Sequence, residues 1–249
     1  MEWYTYMAII GIGFLAGFIN TLAGGGSALS VPLLIFMGLP ANVANGTNRI
    51  AILLQNAVAT WSFAKEKVLD VKTSLPLSLA SVAGAALGAA IAINLNEFIM
   101  RRAIGVVLIL VLATVIIKPG VWLRPDSGRI KDHGWFGYVV FFFIGAYGGF
   151  IQIGTGFFLL AGLVFSKGLD LVKANAVKVF IILVYTPLAL AIFFYHGQVN
   201  LKMGLILAVG NMLGALTGSK VAVRWGPAFI RWVLIIALGI SAAKLFGVF

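Results

Sequence analysis

The chain contains no cysteine, which excludes disulfides, thiolate nucleophiles and cysteine-held metal ions. Histidine is nearly absent, with only His133 and His196. The seven acidic residues are Glu2, Glu66, Asp70, Glu97, Asp126, Asp132 and Asp170, and each lies near a loop or a helix end. None stands inside an apolar run, where a proton relay or a cation site within a membrane would need it. Paired carboxylates, Ser-His-Asp sets and metal-ligand clusters are therefore missing. The expectation is a protein that is not an enzyme, with no cofactor and no metal. Charge as a whole is scarce: 10% of the 249 residues are charged, against roughly 25% in a soluble domain.

In place of charge stand apolar runs near the ~20-residue spanning length, such as 73–93, 179–195 and 229–249. Strand-like alternation is absent, so the chain reads as an all-α polytopic membrane protein. The N-terminal "MEWYTYMAII" has no basic n-region and no small-residue cleavage site, and reads as a first span rather than a removable signal. The net charge of +11 sits in short loops. It reads as cytoplasmic loop charge with the lipid bilayer as partner, and not as a nucleic-acid surface.

The sequence is written twice. "GFIN" at 17–20 matches "GFIQ" at 149–152, an offset of 132. Ala44-Asn45, Gly84, Gly88 and Arg101 then match Ala174-Asn175, Gly214, Gly218 and Arg231 at an offset of 130. A first transmembrane repeat (1–117), a Pro-, Gly- and charge-rich linker (118–134) and a second repeat (135–249) follow. Each repeat reads as a helix, a glycine break, a short helix and three full spans. The first gives 5–22, 27–38, 42–64, 73–93 and 98–117; the second gives 135–153, 157–167, 172–195, 200–222 and 228–248. The short pieces fall well short of the ~30 Å hydrocarbon core.

Basic residues choose the topology. If each break is a hairpin, so that each half crosses an odd number of times, one face holds 13 of the 18 basic residues. The other face holds only Arg49, Arg101, Arg102, Lys202 and Lys244. Four crossings per half would divide them evenly, against the positive-inside rule. The expectation is therefore two tandem inverted repeats, each a Gly-broken helix pair followed by three transmembrane helices, with a cytoplasmic linker and both termini extracytoplasmic.

Three consecutive glycines, Gly24, Gly25 and Gly26, interrupt a helix and precede Ser27. Backbone left unpaired at membrane depth is tolerated only where protein buries it or water reaches it. The freed amides, at the positive end of the following helix, suit an anion, and Ser27 could cap that helix or meet the ligand. Gly154, Thr155 and Gly156 hold the equivalent place, and an inverted repeat brings the two breaks face to face. The GxxxG pairs Gly13/Gly17, Gly84/Gly88, Gly145/Gly149 and Gly214/Gly218 read instead as close helix packing. A second polar cluster, Asn45, Thr47, Asn48 and Arg49 with Asn175 and Lys178, opens the next spanning helix of each half. Cations near a helix start oppose its dipole, and an anion would relieve the conflict. The alternative is that Lys178 snorkels to the interface and Arg49 marks a membrane edge. Of Gln55 and Asn56, one is expected to line the path and the other to bond across helices.

"GFINTLAGGGSALSVPLLIFMGLPANVANGTNRIA" and "GAYGGFIQIGTGFFLLAGLVFSKGLDLVKANAVKV" resemble the TauE/SafE family of sulfite exporter-like membrane transporters over nearly the whole chain. The resemblance implies a secondary transporter of sulfite or an organosulfonate in a prokaryotic inner membrane. By position it maps the glycine signature to Gly24–Ser27 and Gly154–Gly156, and the helix-start motif to Asn45–Arg49 and Asn175–Lys178. Thr155 departs from a triple glycine and is followed by Phe157 and Phe158, which suits one break to gating.

The expected function is export of a small anionic substrate by alternating access around a midplane site. That site comprises Gly24, Gly25, Gly26, Ser27, Asn45, Thr47, Asn48, Arg49, Gln152, Gly154, Thr155, Gly156, Asn175 and Lys178. A homodimer is left open. The rival readings are a carrier of another small solute or a metal cation, and a non-transporting membrane scaffold.

Overall fold

The structure is a computed structural model that describes residues 3–117 and 135–245. The expected linker 118–134, with its cytoplasmic placement, lies outside the described residues, as do the chain ends. Nine helices form among the described residues: α1 (Trp3–Leu22), α2 (Ser27–Phe36), α3 (Ala41–Lys65), α4 (Val71–Ile93), α5 (Glu97–Ile117), α6 (Trp135–Phe150), α7 (Thr155–Lys167), α8 (Leu171–Tyr195) and α9 (Leu201–Leu245). The glycine breaks fall where the sequence places them. α1 stops before Gly24, which takes a φ of +85°, and α7 starts after Gly154, at +74°. That left-handed region is open to glycine at no steric cost. Pro40 precedes α3 in extended geometry. Asp170 opens α8 by accepting from the amides of Val172 and Lys173 at 2.9 and 3.0 Å, a side-chain N-cap. α2, of 10 residues, is about 15 Å long, about half of the ~30 Å hydrocarbon core.

One boundary differs. α9 runs 45 residues without a stop, where two helices, 200–222 and 228–248, are expected. A proline such as Pro227 removes one ladder bond and can kink a helix without ending it.

Four of the helices, among the described residues, are long and apolar enough to cross a membrane: Trp3–Leu22, Ser74–Ile93, Leu171–Tyr195 and Leu201–Trp225. Their outward stripes are apolar, with Leu75, Leu79, Leu87 and Ile91 exposed on α4 and Leu201, Leu205, Val209 and Leu213 on α9. Polar side chains are inside instead: Asn45, Thr47, Asn48, Arg49, Gln55 and Asn56 of α3 are all buried. This distribution suits a lipid surround, in which apolar surface outside costs nothing and polar groups must find partners within.

The GxxxG glycines are close-approach points, as expected. A Cβ on Gly17 would strike the Asn211 backbone, and one on Gly145 would strike Ser81. A Cβ on Gly84 would meet Phe142 and Ala146, and one on Gly214 would meet Phe14 and Phe18. α1 therefore lies along α9, and α6 along α4, each pair parallel and nearly in backbone contact. α3 also runs parallel to α9, with Thr47 bonded to Asn200, Gln55 to Asn211 and Ser62 to Ser219.

These contact sets repeat across the halves with their own register. Gly17 to Asn211 corresponds to Gly145 to Ser81, and Gly214 to Phe14 and Phe18 corresponds to Gly84 to Phe142 and Ala146. α4 and α9 thus match at the offset of 130. α1 and α6 match at 128 and not at the 132 of the GFIN and GFIQ tetrapeptides, a difference of one helical turn.

Candidate functional site

The last turn of any helix leaves carbonyls short of intrahelical donors; in α1 the Gly24 amide reaches the Asn20 carbonyl at 2.9 Å. The polar start of the opposite half supplies the donors. At the end of α6, Arg49 Nη1 donates to the carbonyl of Gly148 at 3.1 Å and Nη2 to that of Gly149 at 2.5 Å. Asn45 Nδ2 donates to the carbonyl of Phe150 at 2.8 Å. At the end of α1, Lys178 Nζ donates to the carbonyls of Asn20 and Thr21 at 3.0 and 2.9 Å, and Asn175 Nδ2 to that of Leu22 at 3.0 Å. The last three carbonyls of each helix are thereby bonded. The same 128 and 130 offsets relate the two sets, except that Arg49 stands one position beyond the residue equivalent to Lys178.

A cation at a helix C-terminus complements the dipole. The sequence shows Arg49 and Lys178 only at helix starts, where they oppose it; the structure supplies a carbonyl end from the other half to each. Both side chains are 0% exposed, so neither snorkels nor marks a membrane edge. Arg49 also donates to Gln152 Oε1 at 3.3 Å, stacks over the Phe193 ring at 4.5 Å, and leaves its Nε without a partner. Gln152 Nε2 donates on to the Tyr185 hydroxyl at 2.9 Å. No helix of the described bundle other than α5 contains an aspartate or glutamate, so the positive charge of the core has no carboxylate to balance it.

The two breaks meet. Gly24 and Gly156 lie backbone to backbone, each occupying the space where the other's Cβ would stand, and the Phe157 ring covers Gly25. Residues 24–27 and 152–157 are buried. Among the described residues, the amides of Gly25, Gly26 and Ser27 donate to no protein acceptor, and neither do those of Gly154 and Gly156. Ser27 does not cap α2: the N-cap is Gly26, with no side-chain bond. Its hydroxyl accepts from Asn48 Nδ2 at 3.3 Å, and Ser30 Oγ donates to Asn48 Oδ1 at 2.6 Å. Thr155 Oγ1 turns back to the carbonyl of Gln152 at 3.1 Å.

The structure therefore draws the expected residues into three places: the break crossing, the helix-end clamps (Asn45, Arg49, Gln152, Asn175, Lys178) and the Ser27–Asn48–Ser30 group. Thr47 stands apart, accepting from the Asn200 amide at 2.8 Å at the start of α9. Gln55 is the member of its pair that bonds across helices, its Oε1 accepting from Asn20 at 3.3 Å and Asn211 at 3.0 Å. Asn56 bonds within its own helix, to the carbonyl of Ile52 at 2.7 Å. Sequence reasoning missed Asn20, Asn211 and Tyr185. Asn20, at the end of "GFIN", had a signal, since its amide does toward Gln55 what Gln152 does toward Tyr185, and Gln55 and Tyr185 are 130 positions apart.

A family model described as Sulfite exporter TauE/SafE matches residues 9–245. Among similar proteins, a "Probable membrane transporter protein ORF9" of Sinorhizobium sp is 32% identical over 90% of this chain and 85% of its own. A "Probable membrane transporter protein" of Haemophilus influenzae is 26% identical over 94% of this chain and 91% of its own. The "Probable membrane transporter protein YfcA" of Escherichia coli (strain K12) is 27% identical over 94% and 87%. No solved structure gives a significant match.

Proposed function

The chain belongs to the Sulfite exporter TauE/SafE family of membrane transporters, and we propose that it carries a small oxyanion, sulfite or an organosulfonate, outward across the inner membrane. One observation carries the proposal: two fully buried cations, Arg49 and Lys178, stand in a core without carboxylates, beside two helix breaks whose buried amides have no acceptor among the described residues. Buried charges are ordinarily paired, and helix-end carbonyls supply only about half a negative charge at each end. An anion at the crossing completes the balance and accepts from the amides of Gly25, Gly26, Gly154 and Gly156. Ser27, Asn48 and Thr155 lie beside it as hydroxyl and amide partners, with Arg49 and Lys178 as its charge.

The proposed mechanism is alternating access between two inverted halves. Supporting it are the repeated contact sets and the parallel pairing of α1 and α3 with α9, and of α6 with α4. Short loops reverse the chain between α3 and α4 and between α8 and α9. With Arg49 and Lys178 in the core rather than at a face, the remaining basic residues still favour a cytoplasmic linker and external termini. The chain has no cysteine, so an Asp126→Cys variant in whole cells tests this directly. Protection of the single introduced thiol from a membrane-impermeant maleimide is expected; labelling without permeabilisation would refute the topology.

For the substrate class, thermal stability of the detergent-purified protein is to be read against sulfite, sulfoacetate, sulfate, phosphate, acetate and nickel chloride at matched ionic strength. A saturable shift with a sulfur oxyanion is expected, about 2.7 kcal/mol at a hundred times Kd. A shift with nickel alone would overturn the anion reading.

A further inference from the structure

We infer that Lys178 is a proton-binding site, and that its protonation couples anion movement to the proton gradient; the inference rests on the anion reading above. Lys178 Nζ has three acceptors: the carbonyls of Asn20 and Thr21, and Asn175 Oδ1 at 2.5 Å. An ammonium has three N–H groups and satisfies all three. A neutral amine has two, so its lone pair would face the third acceptor, and loss of the proton costs one of the three bonds that fix Lys178 between the end of α1 and Asn175. The end of α6 is held by Arg49 in the same way. Arginine keeps its proton at any physiological pH, whereas a buried lysine can give it up. Two matching clamps thus differ in one property: only the one on α1 can titrate.

No acidic side chain fixes the lysine in its charged form. The helices packed against α8, namely α1, α3, α4, α6, α7 and α9, contain no aspartate or glutamate. On α8 itself Lys173 is exposed and pairs at 3.8 Å with the capping Asp170, and Tyr185 accepts from Gln152. On α1 the titratable groups, Tyr4 and Tyr6, lie at the opposite end. On α3, Arg49 is bonded to α6, and Lys65 is exposed over Trp61. α4 contributes the exposed Lys72, α6 Tyr138 and Tyr147, the latter bonded to the carbonyl of Ile153, and α7 Lys167 near its C-terminus. Among its described side chains, α9 contributes Lys202, Lys220 and Arg224, all exposed. The negative charge that holds the proton on Lys178 is then the transported anion, three residues along at Gly24–Gly26. The proton passes from water to the Nζ lone pair as a monoanion arrives, and returns to water on the other side as the anion leaves. A monoanion and a proton together move no net charge, so outward transport runs down the anion's own gradient and is opposed by an inward proton gradient. A dianion such as sulfoacetate moved with one proton carries one net negative charge.

Proteoliposomes and radiolabelled sulfoacetate, whose two acidic groups stay ionised between pH 6.5 and 8.5, give the test. With the membrane potential held at zero by valinomycin and equal potassium on both sides, an alkaline lumen is expected to drive accumulation in wild type, approaching tenfold per pH unit for one proton per anion. Lys178→Arg is expected to exchange sulfoacetate more slowly while losing all response to the gradient. Gradient-driven accumulation by Lys178→Arg as steep as wild type, or wild-type exchange indifferent to pH, would overturn the inference and leave anion transport standing. If Lys178→Arg is inert, proton uptake by purified wild type on adding sulfoacetate in weak buffer decides. About one proton per anion sustains the inference, and none overturns it. Absence of both sulfite and sulfoacetate exchange in wild type removes the anion reading together with this one.

Discussion

Replacing Gly24 with alanine is expected to leave no folded transporter in the membrane. Two costs act at once. Gly24 holds a φ of +85°, and an L-residue in that left-handed region loses about 1–2 kcal/mol. The new methyl would also overlap the Gly156 backbone of the opposite break, and backbone cannot swing aside as a long side chain can. The breaks would have to separate, exposing amides and carbonyls that depend on the other half. Size-exclusion profiles of the detergent extract measure this: aggregated or absent protein is expected for Gly24→Ala. Gly38→Ala is the control, because Gly38 also has a positive φ, +92°, but nothing lies near its Cβ position. A stable, monodisperse Gly24→Ala protein would show that the two breaks do not touch.

The second large effect is expected at Arg49. Arg49→Met keeps much of the side-chain volume but removes every donor to Gly148, Gly149 and Gln152. A hydrogen bond to a charged group contributes about 1.5–3 kcal/mol, so the melting temperature of the purified protein should fall by several degrees. Transport should fall at least a hundredfold, since half of the core's positive charge is gone. Arg49→Lys separates the two contributions. It restores the charge without the planar fork that reaches two successive carbonyls, so it should recover part of the affinity and little of the stability. Unaltered transport in Arg49→Met would place the anion away from the α6 clamp.

How far the sequence revealed this arrangement depended on the kind of signal. Gly24–Gly26 and Gly154–Gly156 were legible because a run of glycines in an apolar helix is a local anomaly with a local meaning. The GxxxG pairs were legible for the same reason, and every one of them is a place where backbones approach. The register of α1 against α6 was not. Gly13 and Gly17, like Gly145 and Gly149, repeat every four residues, so a slip of one turn leaves the pattern nearly unchanged, and "GFIN" over "GFIQ" looks the better match. Only contacts decide it: the helix-to-helix contacts and the clamped carbonyls decide for 128, whereas the side-chain pairing of Asn20 with Gln55 and of Gln152 with Tyr185 keeps 132. The partners of Arg49 and Lys178 were also hidden, because an orphan helix-end carbonyl has no residue type. Any residue at 148 or 149 would present the same oxygen. Asn211 was hidden by its apolar surroundings, since it has meaning only through Gln55, 156 positions away.

The central claim is that a small sulfur oxyanion passes between the two glycine breaks. Counterflow of radiolabelled sulfite in proteoliposomes preloaded with unlabelled sulfite measures it most directly. Wild-type protein is expected to exchange sulfite saturably, with competition from sulfoacetate and none from nickel, and Arg49→Met is expected to exchange none. Vesicles that move nickel but not sulfite, or that exchange sulfite equally well with Arg49→Met, would contradict the account.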